Sequence, residues 1–223
     1  MGVCIVTGPY GSGKTEFCVN LARKIAEDTG RGVTIADLDV INPYFRSREK
    51  AEWLAAKNIT VMGDCLDNNT GQDLPAVSYA FLSRVRRGEN VIIDLAGGEN
   101  GLKLLASCYS AIESCPKYEF LCVLNLFRKE TASVAKMVNF VHRINNISLL
   151  PVTGLVSNGH MLRDTTAEHV LESEQAAIEA SRMLGVPLGY TMLRRDIYDG
   201  VRDKLASERI LVFDKPTMRE DWQ

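Results

Sequence analysis

The 223-residue chain has no apolar run approaching the ~20 residues a membrane-spanning helix needs. That excludes a transmembrane anchor of the helical kind from the sequence it presents. It also lacks a surplus of charge. Its 26 Lys and Arg against 28 Asp and Glu leave a net charge of −2, so nothing draws the molecule as a whole to nucleic acid or to an anionic lipid surface. Two local basic clusters, Arg84-Val85-Arg86-Arg87 and Arg194-Arg195, read as solvated faces. None of the six cysteines stands in a C-x-x-C pair, and His142, His160 and His169 are scattered. Cys4 and Cys122 fall in apolar strands and Cys18 in the first helix, as small buried hydrophobes of a reducing compartment. There is no repeat, no low-complexity tract and no Pro- or Ser-rich linker. With the first strand expected from Gly2, no leader peptide is expected. The expectation is one cytoplasmic domain over residues 1–223, with no transmembrane segment and no nucleic-acid partner.

What is present is an alternation of short apolar runs and helical patterns. The runs predict strands at 2–7, 32–37, 59–63, 90–94, 119–125, 151–156, 188–193 and 210–213. Helices are predicted near 14–28, 44–56, 73–87, 101–114, 130–145, 167–184 and 197–206. Val91-Ile92-Ile93 and Phe120 to Leu124 are apolar without alternation, the mark of strands covered on both faces. The expected fold class is therefore α/β: a three-layer α/β/α arrangement around a mainly parallel sheet of seven or eight strands, joined by right-handed crossovers.

Gly8-Pro9-Tyr10-Gly11-Ser12-Gly13-Lys14-Thr15 is a complete G-x-x-x-x-G-K-T loop, set between the first strand and the first helix. In that setting the glycines let backbone N–H groups turn inward around phosphate oxygens, and the helix dipole adds positive potential. Lys14 is placed to reach the β- and γ-phosphates, and the Thr15 hydroxyl to ligate Mg²⁺. Gly8, Gly11, Ser12, Gly13 and Glu16 complete the candidate nucleotide-contacting stretch. The chain is thus expected to bind a nucleoside triphosphate.

Ligands of open parallel sheets gather at the carboxyl ends of the strands. The second strand ends in Asp37-Leu38-Asp39, where neighbouring carboxylates call for a cation or a polarised water. Asp37 is the candidate to position the attacking water, and Asp39 to join the Mg²⁺ shell. The fourth strand ends in Asp94-Leu95-Ala96-Gly97. Asp94 has the place of a Walker B carboxylate, and Gly97 that of a backbone sensor of the γ-phosphate. The sixth strand ends in Ser157-Asn158.

This set of motifs resembles the MinD/ParA/CobQ-like ATPases of the SIMIBI class of P-loop proteins, over residues 2 to about 193. The resemblance implies ATP and Mg²⁺ as ligands, and in many relatives an ATP-sandwiched homodimer that works as a switch. It implies Lys14 and Thr15 as the loop lysine and metal ligand, Asp37 as the catalytic aspartate, Asp94 as the Walker B residue and Asn158 as the adenine contact. A GTP-binding protein would carry N-K-x-D where this chain has Asn158-Gly159-His160-Met161, so ATP is expected over GTP. Two positions depart from the pattern. Pro9 stands where the switch branch has a second lysine that reaches the partner subunit's nucleotide. Glu16 stands where a hydroxyl often touches the α-phosphate, and a carboxylate cannot donate.

Arg46 and Arg48, in a segment Asn42–Glu49 that resembles one in uncharacterised bacterial ATP-binding proteins of this class, are candidates to hold a phosphate, an acidic acceptor or a partner. Cys65, Cys108 and Cys115 are the candidates for a metal or cluster shared across a dimer, against a default of ordinary thiols. Three functions remain open at this point. The first is a Mg²⁺-dependent ATPase switch serving an unknown protein partner or cargo. The second is an ATP-dependent small-molecule kinase or ligase, similar to dethiobiotin synthetase or the cobyrinic acid amidases. The third is a nucleotide-gated binding module that hardly hydrolyses.

Overall fold

The computed structural model describes residues 2–39, 47–63 and 80–218. Arg46, Cys65, residues 73–79 of one expected helix and the tail beyond 218 lie outside the described residues, and Arg48 is described by its backbone alone. All eight expected strands form: β1 (Val3–Thr7), β2 (Val33–Leu38), β3 (Ile59–Met62), β4 (Asn90–Leu95), β5 (Tyr118–Leu124), β6 (Gly154–Ser157), β7 (Leu188–Arg194) and β8 (Ile210–Phe213). They make one sheet in the order β3-β2-β4-β1-β5-β6-β7-β8 with every pairing parallel. The order reverses at β1, with β2 and β3 on one side and β5 to β8 on the other, which opens a crevice at its carboxyl end.

The helices are α1 (Lys14–Thr29), α2 (Ala51–Ala55), α3 (Phe81–Arg86), α4 (Glu99–Ser107), α5 (Tyr109–Glu113), α6 (Val134–Ile147), α7 (Ala167–Leu184) and α8 (Arg195–Val201). Side chains of one strand alternate between two cores. Cys4, Val6, Ile35 and Ile92 pack with Phe17, Leu21 and Ala22 of α1. Ile5, Ala36, Ile93 and Phe120 pack on the other face with Phe81 of α3, Leu102 and Leu105 of α4, and Met137 and Val141 of α6. This double burial is why the strand sequences are apolar without alternation.

Several expected elements differ from those formed: the helix near 130–145 starts later, at Val134, after a 3₁₀ turn, and the one over 197–206 is helical only to Val201 and continues as a 3₁₀ turn. The helix over 101–114 breaks in two at Cys108, whose N–H bonds to Leu105 O at 2.9 Å, a tighter turn than α. The strand expected from 151 begins at Gly154: Val152 N–H is taken by Asn145 Oδ1 at 2.9 Å, and the Thr153 hydroxyl accepts the Phe120 N–H at 2.8 Å in place of a backbone carbonyl. Of the described part of the stretch 44–56, Ser47–Lys50 is a 3₁₀ turn and Ala51–Ala55 is α-helical. The α7 helix matches its expected limits. Thr166 and His169 cap its start reciprocally, and this accounts for one of the three histidines.

Candidate functional site

The loop between β1 and α1 is shaped by its glycines. Gly13 has φ 89° immediately before the helix, a left-handed conformation that glycine enters without strain, and a Cβ there would strike the Asn158 amide. Phe17 N–H donates to Gly13 O at 2.9 Å. The amides of Lys14, Thr15 and Glu16 therefore have no intrahelical acceptor, and they form the positive end of α1. Lys14 is only 6% exposed; it lies back over the loop with Nζ donating to Pro9 O at 3.2 Å. An ammonium folded over a helix N-terminus is a place for phosphate oxygens.

On one side of this loop stands a pair of carboxylates. The β2–β4 register sets Asp37 directly beside Asp94. Ile35 and Ile92 pack on the α1 face, so Asp37 and Asp94, one step of the strand alternation further on, share that face. Both oxygens of Asp94 are buried and make no well-formed hydrogen bond, with the Thr15 hydroxyl and the Cys18 thiol close by. Burial first, and then the charge of Asp37, push the Asp94 carboxyl up from 3.8 to about 7; the nearby Thr15 hydroxyl and Lys14 pull against that rise. Asp37 is itself held in place. Its Oδ1 accepts from the Asp39 N–H and its Oδ2 from the Ser47 hydroxyl, each at 3.2 Å. Asp39 is buried and lines a cavity that opens beside the loop. Cys18, one turn into α1, is held protonated by burial first and by the Asp94 charge second.

Among the described residues no group of three or more Asp, Glu, His or Cys side chains converges to hold a metal on its own. Mg²⁺ in a nucleotide site needs no such group, because phosphate and water supply most of its ligands. Buried oxygens on Asp94 that make no well-formed hydrogen bond, with the Thr15 hydroxyl beside them, fit that demand. Gly97 lies against the loop from above. A Cβ on it would stand 3.3 Å from Gly8 O, and 3.4 Å from both Lys14 Nζ and Tyr10 N, so only glycine permits this approach without displacement.

On the other side, toward β5 to β8, the site is built differently. Asn158, at the end of β6, donates from Nδ2 to Ser12 O at 2.8 Å and so ties that strand to the loop. Ser12 Oγ is buried without a partner. Arg128, in the connection after β5, donates from Nε to Gly11 O at 2.8 Å. His160 sits beside it; burial first, and then the Arg128 charge, lower its imidazole to about 4, so the ring is neutral. Arg194 donates to Leu162 O at 3.1 Å while Asp196 grips its guanidinium through two oxygens, fixing the 158–165 loop to the end of β7. The cavity, of about 400 Å³, runs from Tyr10, Lys14 and Thr15 to an apolar end lined by Val170, Met192, Leu193, Phe213 and Met218.

The structure thus brings together Gly8, Gly11, Ser12, Gly13, Lys14, Thr15, Asp37, Asp39, Asp94, Gly97 and Asn158. The Glu16 side chain turns elsewhere: Oε1 accepts from the Thr217 N–H at 2.8 Å and Oε2 from the Met218 N–H at 3.0 Å. Sequence reasoning missed Arg128 and the apolar end, and left His160 as one of three scattered histidines. Arg128 lies just past the end of a strand adjacent to β1, and that position was the available signal. Cys108 is buried within the core opposite α1, and Cys115 packs against its edge. Their thiols donate to Leu104 O and Ala111 O.

No protein-family model matches the chain, and no curated protein matches it. Solved structures do. A chloroplast FtsY from Physcomitrella patens superposes with a TM-score of 0.57 at 19% identity, over 85% of this chain and 57% of that one. Cell division protein FtsY from Thermotoga maritima gives 0.57 at 23%, over 86% and 61%. Signal recognition particle 54 kDa protein from Aeropyrum pernix K1, in complex with GDP, gives 0.53 at 17%, over 84% and 40%. The chain therefore spans about three-fifths or less of the length of these structures. At these identities the likeness is one of fold: an eight-stranded parallel sheet with flanking helices, of the P-loop nucleoside-triphosphatase kind.

Proposed function

We propose that this protein is a Mg²⁺-dependent ATPase that works as a nucleotide switch, a single domain of the SIMIBI class. The observation that carries the reading is Asp94, a fully buried carboxylate with no well-formed hydrogen bond to either oxygen, set between Asp37 and the Lys14–Thr15 end of a phosphate loop. A buried charge of that kind is tolerated where a cation completes it. Thr15 and Asp94 would hold Mg²⁺, directly or through water, with Asp39 in its outer shell; the bound ion supplies neutralisation of phosphate charge. Lys14 would exchange Pro9 O for phosphate oxygens. Asp37, fixed by the Asp39 N–H and Ser47 hydroxyl, would orient the attacking water. The Gly97 amide, laid on the loop, would sense the γ-phosphate and relax on its loss.

ATP is favoured over GTP by the lining of the cavity. The acidic residues that line it are Glu16, occupied by two backbone amides, and Asp39, on the carboxylate side. Guanine readers commonly meet the N1 and N2 donors together with one carboxylate, and among the described residues the nucleoside end of the cavity has no acidic side chain to do so. Titration with Mg·ATP and Mg·GTP, followed by turnover, tests the reading. Lys14→Ala should abolish binding, and Asp37→Asn should leave binding intact and remove hydrolysis. Equal ATP affinity and turnover in the Lys14→Ala variant would overturn the assignment.

A second reading, phosphoryl transfer to a small anionic acceptor, is favoured by Pro9, which removes the lysine that closes a dimer. Sedimentation velocity with Mg·ADP and with a slowly hydrolysed ATP analogue separates the two. A dimer formed only with the analogue supports the switch, and a monomer in both supports the acceptor.

A further inference from the structure

Glu16 occupies a position that ordinarily serves phosphate, yet its carboxylate reaches across to the chain beyond β8. The two oxygens take the consecutive amides of Thr217 and Met218, at 2.8 and 3.0 Å. Asn20, one turn along α1, steadies the carboxylate by donating Nδ2 to Oε1 at 2.6 Å. Charge-assisted bonds to two successive backbone amides fix a segment in position and direction, which a single contact does not. The segment so fixed is not spare chain: Thr217 and Met218 are buried, Met218 within the α1-side core. Phe213, Pro216 and Met218 line the cavity.

The sheet order gives the cavity a direction. Asp37 and Asp94 lie toward β2 and β4, whereas Met192, Leu193, Phe213 and Met218 lie toward β7 and β8. A nucleotide with its phosphates on the Lys14 loop and its cation beside Asp94 must therefore extend its nucleoside toward the apolar end. A purine face is satisfied there by contact area, which Phe213, Pro216 and Met218 offer from one side.

We propose that residues 214–218 are a strap, latched by Glu16 to the phosphate-loop helix, that forms one wall of the nucleoside pocket. On this view Glu16 sets how tightly the purine nucleoside is held, and not how tightly the phosphate chain is held. The inference rests on the nucleotide-binding reading above. It also makes an unusual prediction of sign. A carboxylate near a phosphate site repels that phosphate, so its removal by itself strengthens anion binding. Loss of the latch should instead weaken nucleotide binding.

The test is isothermal titration of the full chain and of Glu16→Ala with two probes, Mg·ATP and Mg·tripolyphosphate, the second having no nucleoside. In Glu16→Ala the Kd for Mg·ATP should rise about tenfold, the scale of one charge-assisted hydrogen bond. The Kd for Mg·tripolyphosphate should stay level or fall. Met218→Ala, which trims the wall and leaves the carboxylate, should weaken Mg·ATP alone, and it decides the matter if circular dichroism shows Glu16→Ala unfolded. Unchanged or tighter Mg·ATP binding in folded Glu16→Ala overturns the strap, as does parallel weakening of both probes. If the unaltered chain binds neither probe, the nucleotide reading itself falls; if it binds Mg·ATP and the variants bind equally well, only the strap does.

Discussion

Replacing Asp94 with Asn should make the metal-free protein more stable while disabling its chemistry. Asp94 is 1% exposed, neither oxygen makes a well-formed hydrogen bond, and Asp37 stands beside it in the sheet register. Raising its carboxyl from 3.8 to about 7 corresponds to about 4 kcal/mol against the charged form. That figure is already net of the pull from Thr15 and Lys14; Asn removes the charge yet still buries a polar amide, at a cost of about 2 kcal/mol. A net gain of about 2 kcal/mol is therefore expected, or about 4–8 °C in Tm for a chain of this size.

The pH dependence fixes the cause. Below about pH 4 the carboxyl is protonated in both folded and unfolded chains, and it costs nothing. As pH rises toward 7 the unfolded chain releases the proton that the folded chain retains, so stability drains away, and above about 7 the full cost is present. Thermal melts of parent and Asp94→Asn in EDTA should differ most at pH 8.5, and by less than half as much at pH 5. Saturating Mg·ATP should reverse the order by stabilising the parent alone. An Asp94→Asn protein that melts no higher than the parent at pH 8.5, or whose advantage is the same at both pH values, refutes the strained-carboxylate argument.

Two further outcomes follow from other contacts. Gly97→Ala should lower the ratio of ATP to ADP affinity at least about threefold, since the methyl group crowds Gly8 O, Lys14 Nζ and Tyr10 N; competition binding of the two nucleotides checks it, and an unchanged ratio removes Gly97 as a γ-phosphate sensor. Glu174→Ala should destabilise the protein by about 3 kcal/mol, or about 6–12 °C in Tm, because that buried carboxylate accepts from the Thr191 hydroxyl and from the Ala206 and Ser207 amides; calorimetry checks it, and a shift under about 2 °C contradicts the role.

The loop from Gly8 to Thr15 was legible because its chemistry is local. Glycines, a lysine and a hydroxyl must follow one another in that order for backbone amides and a helix end to converge on one anion. The eight strands were legible for a related reason, since burial on both faces leaves a continuous apolar run that periodicity can detect. Asp37, Asp94 and Asn158 could be nominated from their places at strand ends. That Asp37 and Asp94 lie side by side is a fact of register between β2 and β4, segments more than fifty residues apart in the chain. Whether they strain one another could not be read from either strand alone.

The role of Glu16 was invisible in the sequence for the same reason. Its partners Thr217 and Met218 lie two hundred residues away and contribute only backbone amides, which every residue but proline carries and no motif records. Arg128 bonds to the carbonyl of Gly11, again a contact without a side-chain signature on the receiving end. Sequence determined the glycine-rich loop between β1 and α1 and the layered fold, both of which rest on local order and periodicity. The tertiary structure alone decided which carboxylates share a field, which segment walls the apolar end of the cavity, and where the Glu16 charge is spent, because each depends on distances that only packing sets.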